Sequence, residues 1–149
     1  MGHCLWVISL TQAPLLFAHN STDAATQALP SSPRTMIAML ETAANARIVH
    51  TTASTREEAE RLGRSLVEER LAACATLLPG AQSIYRWEGK IESTPETLLL
   101  LKTEAGRLEE LEARIHALHS YATPEFLVLR VDAGSRAYLD WLGASLRPA

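Results

Sequence analysis

The fold is decided by residues 74–92, which carry the sequence CATLLPGAQSIYRWEGKIE. Two runs suited to β-strands flank Glu88-Gly89, a pair typical of a two-residue hairpin turn because glycine adopts a positive φ at little cost. Pro79-Gly80 interrupts the first run, where a bulge or bend is expected. The stretch therefore predicts a long antiparallel hairpin.

A short strand and an amphipathic helix are predicted before the hairpin. Residues 47–52 (RIVHTT) are rich in β-branched side chains and favour a strand. Ser54 and Thr55 are followed three residues later by Glu57 and Glu58, which is a capping-box pattern for the start of a helix. Leucines and alanines then recur at helical spacing, so the helix is expected to continue to about Ala73.

A central strand, a second helix and a fourth strand are predicted after the turn. Residues 97–102 (TLLLLK) indicate a strand covered on both faces, or by helices on one face and a partner subunit on the other. A helical stripe follows at Leu108, Leu111, Ile115 and Leu118. Residues 125–131 favour a fourth strand, and a short closing helix is marked by Tyr138, Trp141 and Leu142. The order βαββαβ with a C-terminal helix predicts an α+β protein, a ferredoxin-like sandwich.

One face of such a sheet lacks helices to cover it. Apolar strand residues on an uncovered face need a partner, and the long second and third strands can pair beyond the domain. We therefore predict a homo-oligomer with cyclic symmetry.

Charge divides the chain into two unlike segments. The 149 residues carry a net charge of −3, and only three of the 31 charged side chains fall in residues 1–45. We predict a folded domain over residues 46–149 and a poorly ordered extension over residues 1–45. This extension is either a non-native start ahead of Met36 or Met39 or a weak signal-like segment.

Composition also bears on partners and location. The mildly acidic chain has no basic block, which argues against nucleic acid and anionic membranes as partners. The apolar run over residues 4–18 is shorter than the roughly 20 residues of a membrane helix. Two cysteines without a disulfide pattern favour a reducing compartment, so a cytoplasmic protein is predicted ahead of a secreted or periplasmic one.

Three motifs resemble the CutA divalent-cation tolerance family. Residues 74–92 resemble its signature hairpin, residues 119–125 (HSYATPE) its H-P-Y-x-x-P-E loop, and residues 138–142 its closing helix. The resemblance spans about residues 46–147 and implies a ferredoxin-like homotrimer, related in architecture to PII signalling proteins and linked to tolerance of copper and other divalent cations. Ser120 stands where the loop motif has proline, a change expected to loosen the loop.

The resemblance implies a metal site at His50 and His119. Some members carry cysteine at the position of His50, and that cysteine is associated with copper together with the loop histidine. We expect the two imidazoles, with Cys74 as a soft ligand, to suit copper or zinc. The first and fourth strands are not expected to be neighbours, so the ligands would approach at strand ends or across a subunit boundary. Alternatively, the histidines are hydrogen-bonded surface residues and Cys74 is a small buried hydrophobe.

The resemblance also implies a cleft between subunits, lined by Trp87, Lys102, Tyr121 and Glu125. The sequence contains no nucleophile elbow, Walker loop or H-E-x-x-H motif, so no enzyme is predicted. The expected function is binding of a divalent metal, copper first, in metal tolerance. The alternative is a PII-like trimeric signalling or scaffold module that binds a small ligand or an unidentified protein partner in the cleft.

Overall fold

The computed structural model describes residues 40–148, so most of the predicted extension over residues 1–45 lies outside the described residues. The elements in chain order are β1 (Glu41–Thr42), β2 (Ala46–Ala53), α1 (Arg56–Glu68), β3 (Cys74–Trp87), β4 (Lys90–Glu104), a 3-10 turn (Ala105–Arg107), α2 (Leu108–Leu118), β5 (Leu127–Arg130), β6 (Ala133–Gly134) and α3 (Arg136–Ser145). None of the helices in this range is long and apolar enough to cross a membrane.

The main sheet has four strands in the order β3-β4-β2-β5, and every neighbouring pair is antiparallel. The expectation that the first and fourth strands of the motif are not neighbours is wrong, because Val49 of β2 lies opposite Val128 of β5. The edges of β4 are already occupied by β3 and β2, so the strand that follows α2 pairs with the open edge of β2. This pairing brings the 119–125 loop close to the end of β2.

The core lies between one face of this sheet and the helices. Alternate residues of β2 and β4, such as Val49, Leu99 and Leu101, are buried on this face. They share one apolar cluster with α1 and α2 residues, namely Leu62, Leu66, Leu111 and Ile115. Mixed helices and strands around this core confirm the α+β class.

Helix α1 begins as predicted but ends five residues early. The Thr55 hydroxyl accepts the backbone N–H of Glu58, which is the expected N-cap. The helix stops because Arg70 adopts φ +57 and the N–H of Leu71 donates to the carbonyl of Leu66. This is a Schellman ending, in which Leu71 folds back onto the core and prolongs the apolar spacing beyond the helix.

The hairpin has the predicted turn and bulge. Glu88 and Gly89 both have positive φ, and Trp87 pairs directly with Lys90. The register shifts at Gly80, which has φ +85, so the predicted bulge is confirmed. On the far side of this bulge β4 has lost its pairing with β2. Residues 81–96, called the arm below, therefore form a two-stranded projection about 20 Å long.

The folded region begins before the predicted boundary at residue 46. Strand β1 pairs with β6, with Glu41 opposite Gly134. Ala43 is buried in a second apolar cluster with Leu142 and Leu146 of α3. Residues 41–45 thus pack against the end of the chain that closes the fold.

Candidate functional site

The imidazole of His50 lies beside the carboxylate of Glu125. His50 is opposite Leu127 in the β2–β5 pairing, and Glu125 precedes β5 by two residues, so strand pairing brings the two together. His50 Nδ1 and Glu125 Oε2 are 3.2 Å apart, and both side chains are about one-third exposed. The approach is not oriented as a hydrogen bond, and among residues 40–148 the buried Nδ1 atom has no hydrogen-bond partner. Two ligand-type atoms are thus adjacent, and the nitrogen is unsatisfied.

His119 does not join this pair, because both of its ring nitrogens are engaged by backbone groups. Nε2 lies 2.7 Å from the carbonyl oxygen of Thr52, and Nδ1 accepts the N–H of Tyr121 at 3.0 Å. This bonding assigns the neutral tautomer with its proton on Nε2. The side chain is fully buried. In this arrangement His119 holds the loop to β2, and neither nitrogen is free for a metal.

Glu58 is a buried carboxylate that joins α1 to the same loop. It accepts the hydroxyl of Ser54 at 2.6 Å, the N–H of Ser120 at 2.7 Å and the hydroxyl of Ser120 at 3.0 Å. Burial by itself would raise the pKa of Glu58, but the hydrogen bonds from Ser54 and Ser120 lower this pKa to about 2. Proline has no N–H to donate, so the serine gains a contact that the motif residue lacks. These contacts oppose the loosening expected at Ser120.

Glu96 is a second buried carboxylate, and it joins the loop to the base of the arm. The Tyr121 hydroxyl donates to Oε1 at 2.9 Å, and the Ser83 hydroxyl donates to Oε2 at 2.5 Å. Burial, with the adjacent Glu96 carboxylate, raises the pKa of Tyr121 to about 12. The phenol therefore remains a hydrogen-bond donor at neutral pH.

Cys74 lies on the same face of the sheet as His50, but two strands away. Lys102 stands opposite Cys74 in the β3–β4 pairing, and its Nζ donates to Sγ at 3.6 Å and to the hydroxyl of Thr76. Strand spacing and rise put the Cα atoms of Cys74 and His50 about 12 Å apart. In the part of the chain that the structure describes, no three His, Cys, Asp or Glu side chains gather into a metal-binding cluster.

The four predicted cleft residues do not meet within one copy of the chain. Trp87 is 64% exposed at the tip of the arm, where it pairs with Lys90. Lys102 lies on the same strand as Lys90, about 40 Å further along at the rise of a β-strand. Tyr121 and Glu125 share the 119–125 loop. A cleft containing all four requires the arm of another copy.

Sequence patterns did not reveal the two buried carboxylates. Glu58 belongs to the predicted capping box, and its position four residues after Ser54 is the signal that its side chain can reach backwards. Glu96 directly precedes the leucine run, and an acid at that place was the available signal. A separate cavity of about 490 Å³ lies between residues 41–46 and α3 and contains none of the predicted site residues.

Fold and site together define a small α+β protein whose sheet presents a histidine–carboxylate pair at the point where the β2–β5 pairing ends. Residues 47–145 match the family described as CutA1 divalent ion tolerance protein. The chain belongs to this family, which confirms the resemblance found in the three motifs.

Several relatives match about two-thirds of the chain. The chain is 52% identical over 89 residues to the divalent-cation tolerance protein CutA of Pectobacterium atrosepticum, covering 60% of this chain and 81% of the relative. It is 43% identical over 100 residues to the chloroplastic protein CutA of Arabidopsis thaliana, covering 67% of this chain and 55% of that relative. The solved structure of CutA from Synechococcus elongatus PCC7942 superimposes with a TM-score of 0.71 at 41% identity, covering 74% of this chain and 98% of that one.

Proposed function

We propose that this protein binds a divalent metal ion through His50 and Glu125 and contributes to tolerance of divalent cations. The supporting observation is the 3.2 Å separation of Nδ1 and Oε2. Two ligand atoms in a tetrahedral shell with bonds of about 2.0–2.1 Å are about 3.3 Å apart, so this pair already has the spacing of neighbouring ligands. The unsatisfied Nδ1 has its lone pair available when the ring proton is on Nε2. Membership of the CutA1 family supports the same chemistry.

The ligand types favour particular metals. An imidazole nitrogen and a carboxylate oxygen suit Cu(II) or Zn(II), whereas Cu(I) prefers thiolate and thioether sulfur. Copper is therefore proposed first and zinc second. Water or a second copy of the chain supplies the remaining ligands. His119 joins the shell only if its Nδ1 gives up the N–H of Tyr121. Cys74 of the same copy lies too far from His50 to join it, because two strand spacings separate them.

We also propose a ferredoxin-like homotrimer. The strand order and the two helices on one face support the ferredoxin-like architecture. The other face leaves Leu78, Leu127 and Leu129 exposed, and the arm exposes further apolar side chains. An isolated two-stranded hairpin is marginally stable in water, so association supplies the packing that one copy lacks. Light scattering tests this, and a monodisperse monomer at micromolar concentration would contradict it.

A PII-like signalling or scaffold role is the second candidate. The distance between Trp87 and Lys102 favours a cleft built from the arm of one copy and the 119–125 loop of another. Trp87, Lys102, Tyr121 and Glu125 would then line a site for a small ligand or a protein partner. Both candidates describe a binding protein without catalysis. The thiol of Cys74 supports a reducing compartment, which we propose to be the cytoplasm.

Calorimetric titration of the full chain with Cu(II), Zn(II) and Cu(I) separates these candidates. We expect Cu(II) and Zn(II) to bind the parent protein, His50→Ala to abolish binding and Glu125→Gln to weaken it. The exposed His116 provides a matched control, so His116→Ala should leave binding unchanged. His119→Ala tests whether that imidazole also takes part.

Two outcomes decide the assignment. Binding that is unaltered in both His50→Ala and Glu125→Gln would refute the proposed site. A parent protein that binds none of the three ions would favour the scaffold role instead.

A further inference from the structure

The 119–125 loop is irregular, yet its first three residues are each tied to a different element. His119 bonds to the backbone of β2, Ser120 bonds to Glu58 of α1, and the hydroxyl of Tyr121 bonds to Glu96 of β4. All three contacts are long-range in sequence. Connecting loops are usually more mobile than the elements they join, so three successive contacts of this kind mark the loop as held in place.

The two carboxylates in these contacts are buried. The side chain of Glu58 is 5% exposed, and Glu96 as a residue is 9% exposed. Burying a charged carboxylate is costly unless hydrogen bonds satisfy it, and each of these uses both oxygens. Hydrogen bonds to an ionised acceptor are stronger than neutral ones, so the contacts hold Ser120 and Tyr121 in defined places.

The contacts that the Glu58 carboxylate makes with the loop are independent of the N-cap of α1. The N-cap contact uses the backbone N–H of Glu58, which donates to the Thr55 hydroxyl at 3.1 Å. The carboxylate reaches past Thr55 to Ser54 and across to Ser120. A substitution that keeps the backbone therefore leaves the cap in place while removing the charged acceptor.

The anchored residues lie four to six positions before Glu125 in the chain. Buried Pro124 directly precedes it and restricts the backbone at that point. We propose that Glu58 and Glu96 are positioning residues, whose buried carboxylates fix the 119–125 loop from α1 and from the base of the arm and thereby place Glu125 beside His50. This role rests on the proposed function only where Glu125 acts as a metal ligand.

The test uses the full chain with Glu58→Gln and Glu96→Gln. Matched controls are Glu57→Gln in the first turn of α1 and Glu92→Gln on the arm, because both of these acids are exposed. Two measurements are made on each variant: backbone amide exchange by NMR, and Zn(II) affinity by calorimetry. The amides of Ser120 and Tyr121 report on the loop, and those of Leu99 and Leu101 report on the sheet.

We expect the loop amides to lose about tenfold or more of their protection in Glu58→Gln and Glu96→Gln, while the sheet amides keep theirs. Zn(II) affinity should fall about 10- to 100-fold, as when the outer partners of metal ligands are removed. Both controls should resemble the parent. Ser120→Ala removes one donor to Glu58 and keeps the other, so it should give a smaller loss and serves if Glu58→Gln fails to fold.

Loop amides that stay protected in both glutamine variants would overturn the positioning role. Equal loss of protection in loop and sheet would also overturn it, since that result indicates general destabilisation. If the parent binds no Zn(II), the proposed metal site fails, while the exchange measurement still decides whether the carboxylates hold the loop.

Discussion

The two halves of the hairpin have the same backbone pairing and opposite surroundings. Before the bulge at Gly80, β4 lies between β3 and β2, and its residues Leu99 and Leu101 are fully buried. Beyond it, Ile84 and Ile91 of the arm are 70% and 62% exposed. Strand pairing alone therefore does not bury side chains. The third strand and the helices supply the burial, and the arm has neither within one copy.

The largest expected effect is the loss of a core leucine from the packed half. Leu101→Ala should lower the free energy of unfolding by about 2–5 kcal/mol, because it removes buried methyl groups and leaves a cavity. Ile91→Ala on the arm should lower the free energy of unfolding by less than about 1 kcal/mol when the protein is diluted to the monomer. Guanidinium denaturation measures both. Equal losses would show that the arm is packed within a single copy, and would refute the difference in burial between the two halves of the hairpin.

Lowering the pH should destabilise the packed half by protonating Glu58. Its pKa is about 2 in the folded protein against an ordinary value of 4.5, so its contribution to stability is fully present above pH 4.5 and is lost as the pH falls toward 2. The total is of the order of 3 kcal/mol. Unfolding free energies at pH 6 and pH 3 measure the larger part of it, because some of the contribution is still present one unit above the folded pKa. Glu58→Gln should lack this component of the pH dependence and Glu92→Gln should retain it; an unchanged slope in Glu58→Gln would contradict the assignment.

A substitution in the arm should change self-association rather than the free energy of unfolding of the dissociated chain. Trp87→Ala removes a large exposed aromatic side chain at its tip and should weaken self-association by about tenfold or more, as expected for an interface anchor. Sedimentation velocity across a dilution series measures this. The unfolding free energy of the dissociated chain should stay unchanged, and a fall in that quantity with no change in association would reverse the interpretation.

The smallest expected effect concerns a buried hydroxyl in the packed half. The hydroxyl of Thr51 is buried on the helix-facing side and has no hydrogen-bond partner among the described residues. Thr51→Val should stabilise the protein by about 1 kcal/mol, because it removes an unsatisfied polar atom and keeps the shape.

Thr103 is the matched control for this substitution. It is equally buried, and its hydroxyl donates to the carbonyl of Leu71 at 2.7 Å. Thr103→Val should therefore destabilise by about 1 kcal/mol. Thermal melts compare the two variants, and shifts of the same sign would refute the explanation.

Local signals predicted the local structure. Glu88-Gly89 and Pro79-Gly80 predicted the turn and the bulge because each depends on the φ of one or two residues. The end of α1 was missed because Leu71 keeps helical spacing while the backbone reverses at Arg70. The side chain of Leu71 reaches the core through this reversal and not through a further helical turn. Periodicity alone cannot distinguish these two arrangements.

The site was predicted less well, because its contacts join distant parts of the chain. His50 and Glu125 were both candidates, but in different sites, since the β2–β5 pairing that brings them together was not expected. Glu58 and Glu96 carry no motif for their contacts with Ser120 and Tyr121. Such contacts depend on tertiary packing, which a local pattern does not specify.

The uninterrupted register beyond Gly80 makes the arm adjustable in length. Every residue of the first arm strand has one partner, from Ala81 opposite Glu96 to Trp87 opposite Lys90. Successive side chains point to opposite faces of the arm. Removing two residues from each strand would shorten the reach by about 7 Å and leave every remaining side chain on its original side, whereas removing one from each would exchange the two sides of the tip. The reach of the arm is therefore open to change in two-residue steps, without any alteration to the core.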